Sequence, residues 1–188
     1  MASESPAEHR REVGSRSERF ATAALIGALV VVVVAVFASA MRSLDHNEGL
    51  YMSAGWLMAH GRALYTDFSF WQMPYSAALY GAVFWLFEPT RVLMTGKLVV
   101  FVWWLTAVVI FAAISWGASR RGSLTAALTL LFAVNTTVIR CAVEASNYMQ
   151  PIACALGAFF LAVRAADEMH PRVMIQRGRH DEPFVYLG

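Results

Sequence analysis

The stretch FATAALIGALVVVVVAVFASAM, residues 20–41, carries no charged side chain. At about 1.5 Å of rise per residue, a helix of about 22 residues reaches roughly 33 Å, which matches the hydrocarbon core of a bilayer at about 30 Å. Three further charge-free apolar stretches follow, at residues 98–119, 122–139 and 145–163. The sequence therefore predicts an all-α, multi-pass integral membrane protein with four transmembrane helices.

The composition agrees with this prediction. Hydrophobic residues make up 58% of the 188 residues and charged residues only 15%, against about 25% charged residues in a typical soluble domain. The net charge of +2 is small and scattered, and the sequence lacks the basic and aromatic pattern of a nucleic-acid-binding groove. We expect the lipid bilayer to be a partner of the chain, and we expect no nucleic acid partner.

Residues 68–87 also lack charge and are the alternative fifth span. Only Tyr75–Phe87 is continuously apolar, and about 13 residues reach about 20 Å, which is too short to cross. With four spans and the N-terminus inside, ten of the 15 basic residues lie inside. The other five lie outside and are Arg42, Arg62, Arg91, Lys97 and Arg140. Five spans reverse this bias, so the positive-inside rule favours four spans with both termini inside.

This topology divides the chain into three parts. Residues 1–19 form a polar cytoplasmic tail, residues 20–166 form the transmembrane module with an outer loop at 42–97, and residues 167–188 form an irregular C-terminal tail rich in charge. The first apolar stretch also allows a cleaved signal peptide as an alternative. Its length exceeds the usual 7–15 residues of a signal's apolar region, so a transmembrane helix is favoured.

The outer loop predicts two short interfacial helices. The first opens at Asp45 and ends at Gly61, because glycine after the last turn commonly terminates a helix. The second covers Tyr75–Phe87, with Pro74 at its first position. Aromatic side chains of this loop suit the headgroup level of the bilayer; they are Phe68, Phe70, Trp71, Tyr75, Tyr80, Phe84, Trp85 and Phe87.

Two pairs of polar residues are candidates for a site. Asp45 and Glu48 have the spacing of a helix-capping box, and equally could present a carboxylate to a substrate at the membrane surface. Arg140 and Glu144 could form an i, i+4 bridge on a helix, or line a polar cavity at the membrane boundary. By topology both pairs lie on the outer side. The two cysteines, Cys141 and Cys154, are expected on one continuous helix, where they could not form a disulfide bond.

Several short motifs occur in a fixed order from residue 45 to about residue 166. They are Asp45-x-x-Glu48-Gly49-x-Tyr51, Gly61-x-x-x-Tyr65-x-Asp67, Gln72-x-Pro74-Tyr75, Ser119-Arg120-Arg121-Gly122 and Arg140-x-x-x-Glu144. In this order the chain resembles the N-terminal part of a GT-C fold glycosyltransferase that uses a polyprenyl-phosphate sugar. The related enzymes are the protein mannosyltransferases and aminoarabinose transferases. Many relatives have an acid directly before the Glu, where this sequence has Asn47.

The resemblance implies a set of site residues. Asp45 is expected to act as the catalytic base on an acceptor hydroxyl, with Glu48 as the second candidate. The substrate-binding residues implied are Glu144, Arg140, Tyr51 and Asp67. The resemblance also allows a divalent cation as a cofactor. It does not indicate which residues of this chain would bind the cation.

The implied function is transfer of a sugar from a polyprenyl-phosphate carrier to an acceptor hydroxyl at the outer face of a bacterial cytoplasmic (inner) membrane. Relatives carry further transmembrane helices, so the resemblance implies a truncated N-terminal module of an inverting enzyme, with a missing C-terminal portion or a partner subunit. Whether this chain is active alone is left open by the sequence. The alternative is a non-catalytic four-helix membrane subunit whose outer loop docks a lipid or a partner.

Overall fold

A computed structural model describes residues 6–42, 48–72, 74–145 and 147–180. This part of the chain is all-α, as predicted. In chain order its helices are α1 Pro6–Arg42, α2 Glu48–Ala59, α3 Pro74–Phe87, α4 Val92–Ser119, α5 Gly122–Ala133, α6 Thr136–Val143 and α7 Met149–His180. Helix α4 packs against α5, α6 and α7 as well as the short helices α2 and α3, so it lies at the centre of the bundle.

Three of these helices contain segments long and apolar enough to cross a membrane: Arg16–Arg42 of α1, Val92–Ser119, which is α4, and Met149–Ala166 of α7. A fourth span results if α5 and α6 are counted together, although they meet at an angle of 60°. The structure therefore agrees with the prediction of an all-α protein and has three to four candidate membrane-spanning helices. The prediction that residues 122–139 form one continuous helix was wrong.

Asn135 explains the break between α5 and α6. Its side-chain oxygen accepts hydrogen bonds from the backbone N–H groups of Thr137 at 3.0 Å and Val138 at 3.3 Å. Asparagine is favoured at the start of a helix because its short side-chain amide can accept hydrogen bonds from backbone N–H groups that have no partner within the helix. The apolar run thus continues through the break, while the helix starts anew at Thr136.

The first and last helices extend beyond the apolar stretches that predicted them. Helix α1 already begins at Pro6, within the segment predicted as a polar tail. Helix α7 continues to His180, through part of the segment 167–188 that was expected to be irregular. In both helices, only a part qualifies as a candidate span.

The two outer-loop helices exist, and their ends follow local sequence signals. At the end of α2, Gly61 adopts a positive φ of 79°. Its N–H donates to the carbonyl of Met58, and the N–H of Arg62 donates to the carbonyl of Leu57, which together form a Schellman motif. Helix α3 begins at Pro74, where the missing N–H of proline costs no hydrogen bond.

Helices α2 and α3 pack closely against each other. A Cβ placed on Gly55 would lie 2.6 Å from the Cβ of Tyr80, so the contact requires glycine at this position. This packing buries Phe70, Tyr80 and Phe84 in the core, which corrects the prediction that all the loop aromatics face the headgroups. The exposed members of that set include Trp71.

The remaining contacts are those of closely packed apolar helices. Gly157 of α7 brings its backbone close to Ile110 of α4, and the rings of Phe111 and Phe132 stack between α4 and α5 at 4.5 Å. The two cysteines are free thiols. They lie on different helices, Cys141 in α6 and Cys154 in α7, so their placement on one continuous helix was wrong.

Candidate functional site

A buried ion pair joins the start of α2 to α4. The Nζ of Lys97 lies 2.9 Å from the Oε1 of Glu48, and each side chain is only 2% exposed. Buried charges are maintained only where a partner of opposite charge compensates the lost hydration. The pair therefore fixes the first turn of α2 against the long helix α4.

The same carboxylate oxygen reaches a third part of the chain. The backbone N–H of Ala145 donates a hydrogen bond to Glu48 Oε1 at 3.1 Å. This N–H belongs to the peptide that joins Glu144 to Ala145, where the chain leaves α6 and turns toward α7. The first outer loop and the segment of Glu144 are thus brought into direct contact, although 97 residues separate Glu48 from Ala145.

A second buried polar contact lies between α3 and α7. The hydroxyl of Ser76 donates to Oε1 of Gln150 at 3.0 Å. Three buried polar atoms of these segments have no hydrogen-bond partner among the described residues. They are Glu48 Oε2, Asn147 Oδ1 and Gln150 Nε2. Unpartnered buried polar atoms are costly, and a bound polar molecule or water would remove that cost. We use the name polar cluster for the five residues that form these two contacts or carry one of the unpartnered atoms: Glu48, Lys97, Ser76, Asn147 and Gln150.

Two buried tyrosines lie on the outer-loop helices, Tyr51 on α2 and Tyr80 on α3. Burial and then the negative charge of Glu48 raise the pKa of Tyr80 well above its usual value. Burial, with smaller contributions from Tyr148 and Tyr75, also raises the pKa of Tyr51. The ring of Tyr51 contacts that of Phe70 edge to face, with centroids 6.0 Å apart. Tyr51, predicted to bind substrate, therefore belongs to the buried core.

A cavity of about 640 Å³ opens next to Glu48. It lies between α2 and the start of α4, and its walls are largely apolar. The lining residues are Glu48, Gly49, Met52, Ser53, Trp56, Leu57, Val92 and Leu93. Largely apolar walls with a few polar groups are the usual composition of a small-molecule site.

The remaining predicted site residues are placed as follows. Asp45, the expected base, lies outside the described residues. Glu144 ends α6 in an extended conformation, and its N–H donates to the carbonyl of Arg140 at 3.2 Å. Because Glu144 has left the helix, the two residues do not share a regular helical face as predicted. Glu144 is half-buried and Arg140 is exposed.

Asp67 supports the loop between α2 and α3. Its Oδ2 accepts a hydrogen bond from the N–H of Ala63 at 2.8 Å, and its own N–H donates to the carbonyl of Ala63 at 3.0 Å. Within the same turn Tyr65 has a positive φ of 69°, and its hydroxyl donates to the carbonyl of Gln72. The motif Gly61-x-x-x-Tyr65-x-Asp67 therefore builds the loop, while the second oxygen of Asp67 remains at the surface.

Sequence reasoning did not predict the partners of two members of the polar cluster. Lys97 was expected at the end of the outer loop, and it lies within α4 because this helix begins at Val92. Ser76 was not considered, since a serine in an apolar helix gives no local signal of its partner 74 residues away. An isolated lysine in an otherwise apolar segment was the available signal for a buried partner.

The donors present do not fit a metal ion in the described part of the chain. No group of three or more His, Cys, Asp or Glu side chains comes together there. Oε1 of Glu48 is already shared by an ammonium group and a backbone N–H.

Comparisons of the chain with protein families, with curated proteins and with solved structures gave no match.

Proposed function

We propose that the chain is the N-terminal module of a membrane-embedded glycosyltransferase of the GT-C type. The enzyme that contains this module transfers a sugar from a polyprenyl-phosphate carrier to an acceptor hydroxyl at the outer face of a bacterial inner membrane. The observation that carries the proposal is the contact between Glu48 and the peptide N–H of Ala145. It supports a shared site for the first outer loop and the segment containing Glu144, as the order of the sequence motifs implies.

The proposed chemistry is an inverting displacement. The carboxylate of Asp45 takes the proton of the acceptor hydroxyl, and the hydroxyl oxygen forms a bond to the anomeric carbon. The bond from that carbon to the phosphate oxygen breaks, and polyprenyl phosphate leaves with the electron pair. Arg140 is exposed beside Glu144, where its guanidinium is available to bind the leaving phosphate.

Glu48 has a different role in this proposal. One of its oxygens is occupied by Lys97 and Ala145, and the side chain is almost fully buried. This oxygen already accepts two hydrogen bonds from the protein, and the burial of the side chain keeps an acceptor hydroxyl away from it. Glu48 is therefore a positioning residue that anchors α2, and Asp45, three residues earlier, is the proposed base.

The membrane arrangement is part of the same proposal. Helices α5 and α6 together form one bent span, which gives four spans with α1, α4 and α7. Ten of the 15 basic residues then lie on the inner side, which supports a topology with both termini in the cytoplasm. Helices α2 and α3 then lie at the outer surface, where exposed Trp71, Trp85 and Phe87 contact the headgroups.

Donor binding tests the proposal on the chain itself. The purified chain in lipid nanodiscs is titrated with a polyprenyl-phosphate hexose, with polyprenyl phosphate and with a phospholipid, and bound lipid is counted by native mass spectrometry. We expect the sugar-bearing donor to bind best. Glu144→Gln should weaken it, whereas Glu88→Gln, which removes another acid of the outer loop, should leave it unchanged. Equal binding of all three lipids contradicts the proposal.

The role of Asp45 needs a transfer assay. Asp45→Asn is compared with Glu88→Gln in membranes that contain the chain and a radiolabelled donor, or in a longer homologue that carries this loop. The expected result for Asp45→Asn is unchanged donor binding with loss of sugar transfer. Retained transfer removes Asp45 from the role of base.

The exposed aromatic residues favour a second candidate function. Trp71 is 79% exposed and Trp85 is 70% exposed, which also suits a non-catalytic membrane subunit whose outer loop docks a partner. This function predicts that Trp71→Ala and Trp85→Ala abolish association with a partner and that Asp45→Asn has no effect.

A further inference from the structure

A second large cavity lies between the C-terminal parts of the two candidate spans in α4 and α7. Its volume is about 850 Å³. Apolar side chains, among them Ile114, Phe159 and Val163, form much of its wall. Arg120 and Arg164 line it as well, together with Glu168.

This cavity is remote from the polar cluster. Along α4, Arg120 follows Lys97 by about 23 residues, which corresponds to roughly 34 Å of helix. The cavity residues of α7 also lie near the end of its candidate span, which ends at Ala166. Arginines at the ends of two spans lie at the level of lipid headgroups, while the apolar wall extends toward the hydrocarbon.

The two guanidinium groups are available for an anion. In the described part of the chain, no carboxylate forms an ion pair with Arg120 or Arg164. The guanidinium carbon of Arg164 lies 5.6 Å from the centre of the Phe160 ring, so this side chain rests on an aromatic face. Arg120 follows the last residue of α4 in a left-handed conformation with φ of 52°. Arginine binds phosphate with two parallel hydrogen bonds, which suits such a site.

We propose that this cavity binds the headgroup of an anionic phospholipid. The phosphate would contact Arg120 and Arg164, and an acyl chain would lie along the apolar wall formed by α4 and α7. The apolar wall favours a lipid over free phosphate, since inorganic phosphate gains nothing from it. Glu168 at the rim opposes the anion and limits its affinity. This site does not depend on the proposed glycosyltransferase activity.

The test uses the full chain in a neutral detergent at about 150 mM salt, where diffuse attraction between exposed charges is largely screened. Phosphatidylglycerol and phosphatidylcholine are titrated separately, and each bound lipid is counted by native mass spectrometry. The unmodified chain should bind one phosphatidylglycerol more tightly than it binds phosphatidylcholine. The double variant Arg120→Gln/Arg164→Gln should lose about 30-fold in affinity for phosphatidylglycerol.

A matched control removes the same charge from the same end of the bundle. Arg19 and Arg121 are exposed and do not line the cavity, and Gly122, the neighbour of Arg121, contacts Thr22 of α1. Arg19→Gln/Arg121→Gln should lose less than about fivefold. Glu168→Gln should bind phosphatidylglycerol more tightly, because it removes a like charge from the rim without shortening the side chain.

Each result decides the proposal. Equal losses in the two double variants indicate diffuse surface attraction and overturn it. Weaker binding by Glu168→Gln overturns it as well. Displacement of the lipid by inorganic phosphate at equal concentration overturns it too. That result would show a site for a free anion to which the apolar wall contributes nothing.

Discussion

Lys97 and Glu48 form a buried ion pair at 2.9 Å across 49 residues of sequence. The pair attaches a short outer-loop helix to the central helix of the bundle, and its carboxylate also holds the peptide after Glu144. Three separate parts of the chain depend on one side-chain oxygen. The pair is therefore a contact on which the geometry of the candidate site depends.

Breaking this pair from one side should be strongly destabilising. Glu48→Gln or Lys97→Met removes one charge of the pair and leaves the other charge buried, and we expect a loss of about 3 to 5 kcal/mol in the free energy of unfolding. The double variant should cost less than the sum of the two, because neither charge remains buried. Thermal unfolding in detergent measures the double-mutant cycle. Arg91→Gln, at an exposed position just before α4, should change little, and strictly additive losses would contradict the coupling.

The contact between α2 and α3 should not tolerate a methyl group at Gly55. Its Cβ would overlap that of Tyr80, so Gly55→Ala should destabilise the protein by about 1 to 3 kcal/mol despite the better helix propensity of alanine. Gly49→Ala in the same helix is the matched control, since nothing lies within 4 Å of the added Cβ. That variant should be neutral or more stable by about 0.5 to 1 kcal/mol. Equal effects at the two positions would contradict the close contact.

Local sequence signals were sufficient to predict α2 and α3, because residues close to each helix end determine where the helix ends or begins. Gly61 closes a Schellman motif from its own neighbours, and Pro74 suits a first turn without help from the rest of the fold. The apolar stretches predicted the spans by composition alone. Asn135 could not be recognised as a break, since a single polar residue in an apolar run is compatible with a continuous helix.

The candidate site was predictable only in part. Glu48 and Glu144 were selected from sequence motifs, and the structure brings Glu48 to the peptide that follows Glu144. The partner Lys97 could not be derived, because the choice of an ion-pair partner depends on how α2 packs against α4. The same applies to Ser76 and Gln150, which meet only when α3 and α7 are in place.

Tyr80 should make stability depend on alkaline pH. Its pKa in the folded chain lies well above the usual value of about 10, chiefly because of burial. The unfolded chain therefore releases this proton first, and the free energy of unfolding should fall as the pH rises past about 10. In a titration to alkaline pH, the absorbance of tyrosinate should show a phase at high pH that coincides with unfolding. Tyr80→Phe should reduce that phase, and its persistence unchanged in the variant would contradict the assignment.

Asp67 offers a test that separates loop structure from substrate binding. Asp67→Asn keeps an oxygen that can accept from the N–H of Ala63 but removes the charge, whereas Asp67→Ala removes both. Limited proteolysis of the loop should therefore increase in the alanine variant by several-fold and stay near normal in the asparagine variant. Weaker donor binding in the asparagine variant, with an intact loop, would add a role for the charge. Equal proteolysis of both variants would contradict the structural role.

The bend between α5 and α6 depends on the cap at Asn135. Asn135→Ala removes the oxygen that accepts from Thr137 and Val138, and loss of such a cap costs about 1 kcal/mol. Thr136→Ala is the matched control, since this exposed neighbour has no side-chain hydrogen bond in the structure. Thermal unfolding in detergent should separate the two variants, with only Asn135→Ala unfolding at a lower temperature. An unchanged midpoint for Asn135→Ala would mean that the apolar run prefers one continuous helix, and that the 60° bend is not held by this side chain.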